Sequence, residues 1–165
     1  MRNLIYTGIG SRETPDLVLS IMSKIAKFLE TKGYTVRSGG APGADLAFDI
    51  DITNKEIYLP WYRFNDNNSK LFKLTNEARE IAEKFHPAWN KLSEAARKLM
   101  TRNVYQVLGF DLKSPTNFII CWTKDGKASR GTGQALRIAK YYNIPVYNLF
   151  NQSDRNDLKM KLSMM

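Results

Sequence analysis

A chain of 165 residues, 43% of them hydrophobic, suits one compact domain with its own core, and nothing in it marks a second. Lys and Arg number 25 against 16 Asp and Glu, a net charge of +9 that attracts polyanions, although the basic residues are scattered and form no dedicated basic tail. The single cysteine excludes an internal disulfide. With no basic-then-apolar leader and no apolar stretch of ~20 residues, the chain reads as a cytoplasmic protein without a membrane partner.

In chain order, Leu4 to Thr7 is a β-prone run that reaches Gly8 at once, and Leu17, Ile21, Ile25, Phe28 and Leu29 then mark one stripe of a helix. Gly33 stops that helix, and Tyr34 to Val36 reads as a second strand. A turn from Ser38 to Gly43 precedes a short helix at Ala44 to Phe48. A third strand, Glu56 to Leu59, ends at Pro60 and Trp61, and the polar stretch Tyr62 to Asn76 reads as a mobile excursion. Helical spacing returns with Ala78, Ile81, Ala82 and Phe85, and again from Leu92 to Leu108 with Asn103 inside the stripe. Phe118 to Trp122 reads as a buried strand in which Cys121 acts as a small hydrophobe. A helix through Ala135 to Tyr142, a last strand at Pro145 to Leu149 and a helical or frayed tail complete the order. Strands alternating with helices imply right-handed crossovers, hence an α/β fold: a single Rossmann-like domain with a mainly parallel sheet flanked by helices on both faces.

Three glycine-bearing turns fall where a strand should hand over to a helix: Gly8 to Arg12, Ser38 to Asp45, and Ser129 to Gln134. One such turn serves equally well as an empty corner. In a parallel sheet, however, all three lie at the carboxyl edge, where backbone N–H groups and helix starts can converge on one anion. The ligand expected there is a nucleotide-derived molecule carrying phosphate. Gly8, Gly10 and Ser11 face it on this reading, Ser38, Gly39 and Gly40 form a second wall, and Gly131, Thr132 and Gly133 close the pocket. Arg12 pairs with an oxyanion, Asp45 accepts from a ribose hydroxyl, and Trp61 stacks on a base. Neither the dinucleotide fingerprint nor the P-loop is written out, which disfavours hydride transfer and ATP hydrolysis.

These turns, in order and spacing and together with Met100-Thr101-Arg102-Asn103, resemble the SLOG superfamily of Rossmann-like domains from about Leu4 to Leu149. The second turn resembles most the DNA-processing protein A (Smf) branch, although Val104 stands where that branch has the last residue of Arg-Asn-Arg. The resemblance implies a domain over residues 1–150 and a tail or short helix over 151–165, with Arg102 on phosphate beside Asn103. It also brings two alternatives. One is the N-glycoside hydrolysis of lonely-guy-type phosphoribohydrolases, weakened by Ala135 at their glutamate position; the other is nonspecific single-stranded DNA binding in recombination, favoured by the net charge. A homo-oligomer and a viral or mobile-element source are compatible with it.

No catalytic residue is assigned, and no cofactor or metal is expected. Glu13, Asp45 and Asp125 read as caps or solvated acids before they read as catalysts, and His86 reads as a helix cap rather than an acid/base group. One histidine and one distant cysteine offer no basis for a zinc site.

Overall fold

The structure, a computed structural model, describes residues 3–165, so the first two residues of the 1–150 unit lie outside it. Five strands alternate with helices: β1 (Ile5–Gly8), α1 (Asp16–Thr31), β2 (Thr35–Ser38), α2 (Ala44–Asp49), β3 (Lys55–Ile57), α3 (Asn76–Phe85), α4 (Glu94–Leu108), β4 (Ile119–Cys121), α5 (Arg130–Tyr141), β5 (Val146–Asn148) and α6 (Gln152–Ser163). The strands form one sheet in the order β3-β2-β1-β4-β5, and every pairing is parallel. This is the single Rossmann-like α/β domain that the alternation of elements implies.

The apolar runs explain why the sheet is covered twice. Along β4, Ile119 and Cys121 join one apolar cluster with Val104, Val107, Leu108, Ala135 and Ile138 of α4 and α5. Phe118 and Ile120, one residue out of phase, join the other with Met22, Ala26 and Leu29 of α1, Phe48 of α2 and Leu158 of α6. Side chains alternate between faces along a strand, so an unbroken apolar run has to be roofed on both sides. Cys121 is buried within that strand, and burial raises the pKa of its thiol. The tail is a helix that packs on β5 and buries Leu158.

The stretch after β3 differs from the sequence expectation of a mobile excursion. Phe64 is buried, a 3₁₀ turn covers Phe64–Asp66, and Tyr58 bridges to Leu71. Side chains fasten the segment: Asn65 donates to the Gly40 carbonyl at 3.1 Å, and Ser69 donates to the Ile57 carbonyl at 2.5 Å. Asparagine and serine, which read as loop-formers in sequence, here close turns by bonding to backbone.

Candidate functional site

Strand order reverses between β1 and β4, so the chain leaves these neighbours in opposite directions and opens a crevice beyond their carboxyl ends. The loops leaving the two strands are stitched together there by backbone bonds, Ile9 N–H to the Ile120 carbonyl at 3.1 Å and Ser11 N–H to the Trp122 carbonyl at 3.0 Å. A cavity of about 570 Å³ opens at this point. Its walls come from the loop after β1, the start of α2, one face of α4, the loop after β4 and the first turn of α5.

Of the residues singled out from sequence, Gly10, Ser11, Arg12, Asp45, Arg102, Asn103, Gly131 and Thr132 line this cavity together. Gly8, Ser38, Gly39, Gly40, Trp61 and Gly133 do not. Packing accounts for several of these. A Cβ on Gly8 would enter the Phe48 ring, on Gly40 would come within 2.7 Å of Leu59, and on Gly133 within 2.7 Å of the Ala128 backbone. The Ser38 hydroxyl is buried and donates to the Gly8 carbonyl at 2.6 Å, and Trp61 packs edge-on against Phe64. The third turn also proves to be the first turn of a helix, since α5 starts at Arg130 and Gly133 N–H already bonds to the Ser129 carbonyl.

The deep part of the site is built on α4. Arg102 and Asn103, 6% and 5% exposed, are polar residues on a buried stripe, and they bond to backbone carbonyls and to each other. Arg102 Nη1 donates to the carbonyls of Gly39 and Tyr58, and its Nε donates to Asn103 Oδ1 at 2.9 Å. Asn103 Nδ2 in turn donates to the Gly131 carbonyl at 2.9 Å, which ties the middle of α4 to the start of α5. The guanidinium also lies 5.6 Å from the centre of the Phe64 ring.

Asp45, 4% exposed at the start of α2, accepts from Ala41 N–H at 3.3 Å. Burial pushes its carboxyl up to about 6, against the opposing pull of Arg102, the Ala41 and Gly10 N–H groups and Arg12. Burial likewise lowers Arg102 to about 10, which still leaves it charged at neutral pH.

The mouth is different in kind. Arg12, Lys124 and Arg130 are exposed cationic residues that line the cavity, and the carboxylate there is Glu13, 3.8 Å from Lys124 Nζ and 3.4 Å from Arg130 Nη1. The first turn of α5 adds N–H groups with no intrahelical partner. Arg130 holds this corner at φ +53°, the left-handed region that costs a side chain free energy. Lys124, Arg130 and Gln106 are lining residues that sequence reasoning missed. Gln106 was legible only as the residue one turn beyond Arg102.

The remaining candidates sit elsewhere. His86 ends α3, and its Nδ1 accepts from Ala88 N–H at 3.0 Å. Asp125 accepts from Lys127 N–H and the Ser129 hydroxyl, which lowers its pKa. Ala135 is fully buried and does not line the cavity. Among the described residues no group of three or more His, Cys, Asp or Glu is placed to hold a metal ion, and no helix is long and apolar enough to cross a membrane.

The fold and its switch-point cavity define a Rossmann-like domain with a cationic mouth and a polar floor. No family model and no curated protein matches the sequence. In three dimensions the chain is similar to DNA processing protein A from Helicobacter pylori, a protein described by its single-stranded DNA binding mode. The TM-score is 0.55 at 16% identity, with 96% of this chain and 73% of that chain covered.

Proposed function

We propose that the cavity between the β1 and β4 loops binds a phosphate-bearing nucleotide unit. The observation that carries this is the convergence of Arg12, Lys124, Arg130 and the first turn of α5 on the mouth of one cavity. Three cationic side chains against the single Glu13 carboxylate favour an anion, and helix-start N–H groups are suited to phosphate oxygens. A cavity of about 570 Å³ matches the range in which small ligands and cofactors are held. Calorimetric titration with mono-, di- and cyclic nucleotides, ADP-ribose and NAD tests the reading. A bound member should lose roughly tenfold or more in affinity in Arg12→Ala, since a charge-assisted bond is removed. Silence across the whole panel would count against it.

A second reading takes the nucleotide unit as part of single-stranded DNA. It is favoured by the likeness in fold to the DNA processing protein and by the net charge of +9. Gel shifts with a single strand at low ionic strength test it, and a signal indifferent to Arg12→Ala and Arg130→Ala would place the DNA away from this cavity.

A further inference from the structure

The floor of the cavity holds a polar group that the fold does not use. Gln106 stands one turn beyond Arg102 on α4, is 2% exposed and lines the cavity. Its backbone carbonyl accepts from the Thr7 hydroxyl, but its side-chain amide has no hydrogen-bond partner among the described residues. Nor is that amide sealed away: among the described residues, the fully enclosed side-chain polar atom without a partner is Tyr6 Oη, in the opposite core cluster. A buried amide is costly without a partner, so one that faces a cavity and has none is completed by whatever enters.

Its surroundings narrow the choice. Nε2 lies against Gly39, at the point where Arg102 Nη1 and Asp45 Oδ2 also meet the space a Cβ would take. A phosphate offers acceptors only, and the Asp45 carboxylate opposes it there, while Arg102 already donates to two carbonyls and to Asn103 Oδ1 and feels the opposite charge of Asp45. The cavity also has an apolar wall of Ile9, Ala41, Leu99 and Met100, which suits the face of a flat ring. A carboxamide presents a donor beside an acceptor, the complement of a heterocycle edge.

We propose that the ligand enters base first, with Gln106 reading the hydrogen-bonding edge of the nucleobase at the floor while the phosphate stays at the mouth with Arg12, Lys124 and Arg130. This rests on the nucleotide reading above and assigns Gln106 as the residue that sets base preference.

The test titrates the full chain with ribose 5-phosphate and with the four ribonucleoside 5′-monophosphates, in the wild type, Gln106→Leu and Gln106→Glu. The wild type should bind at least one monophosphate roughly tenfold or more tighter than ribose 5-phosphate. Gln106→Leu should shrink that ratio to about twofold while leaving ribose 5-phosphate affinity in place, because the mouth is untouched. Gln106→Glu should reorder the four bases, since it loses the donor and keeps the acceptors; it carries the test alone if the melting curve of Gln106→Leu shows that it does not fold. If the ligand arrives as a strand, the same ratio is read between a short single-stranded oligomer and its abasic analogue. Equal binding of ribose 5-phosphate and every monophosphate, or a base preference untouched by both variants, would overturn the role of Gln106 and leave the nucleotide reading standing. Failure to bind ribose 5-phosphate, any nucleotide of the wider panel or the oligomer would overturn both.

Discussion

Gly39 admits a side chain only if the ends of its neighbours' side chains shift. A methyl group there would overlap Gln106, Arg102 and Asp45, the three groups that form the cavity floor. Gly39→Ala should therefore cost about 1–3 kcal/mol in stability, measured by denaturant titration, and should weaken ligand binding as well. Asp45 carries a pH signature of known sign. Its folded carboxyl sits at about 6, above the ordinary value of 3.8, so the folded state holds this proton more tightly than the unfolded state. Its contribution is most favourable below pH 4 and is lost as pH rises towards 6. Asp45→Asn removes that loss while leaving buried Arg102 uncompensated, so the variant starts with a deficit of its own. Relative to wild type, its melting temperature should nevertheless rise between pH 4 and pH 7; a flat difference would show that the carboxyl titrates normally. Arg130 offers a separation of roles. Arg130→Gly relieves the left-handed backbone at the cost of a freer unfolded chain, so stability should move by no more than about 1 kcal/mol while anion affinity falls.

At the scale of elements, α4 is the part that makes the site. Its buried polar run, Arg102 and Asn103, reaches the carbonyls of Gly39, Tyr58 and Gly131, and so joins the loop after β2, the end of β3 and the start of α5 to one helix. The helix is also capped, since Ser93 Oγ accepts from Ala96 N–H at 3.1 Å. Ser93→Ala should cost about 1 kcal/mol in denaturant titration with little change in binding, because the cap lies at the other end of the helix from Gln106. Much of this was legible in sequence. Strand, turn and helix alternate from Leu4 onward, and the crossover rule then brings the loops after β1 and β4 to one edge. Glycine was the misleading sign. The missing Cβ of Gly8 or Gly133 marks a close approach, but sequence does not say that the approaching group is Phe48 or the Ala128 backbone. Gln106 was hidden for the opposite reason: a lone polar residue among Val104, Val107 and Leu108 has no spacing of its own until the helix is seen against the crevice.

For the whole molecule, excess positive charge and a small cationic mouth make separable predictions. On the single-strand reading, association should fall steeply with added salt, and Arg12→Ala or Arg130→Ala should each reduce the log–log slope by about 0.7. An unchanged slope would mean that charge elsewhere on the molecule holds the strand. The central strand supplies a convenience for all such measurements. Cys121 is enclosed between two layers of helices, with its thiol held in the unreactive protonated form. A thiol reagent should therefore ignore the native protein and react only as fast as the sheet opens, so the chain carries an internal clock for global unfolding. By the same reasoning, a second cysteine placed at the mouth can be labelled selectively without first removing the natural one.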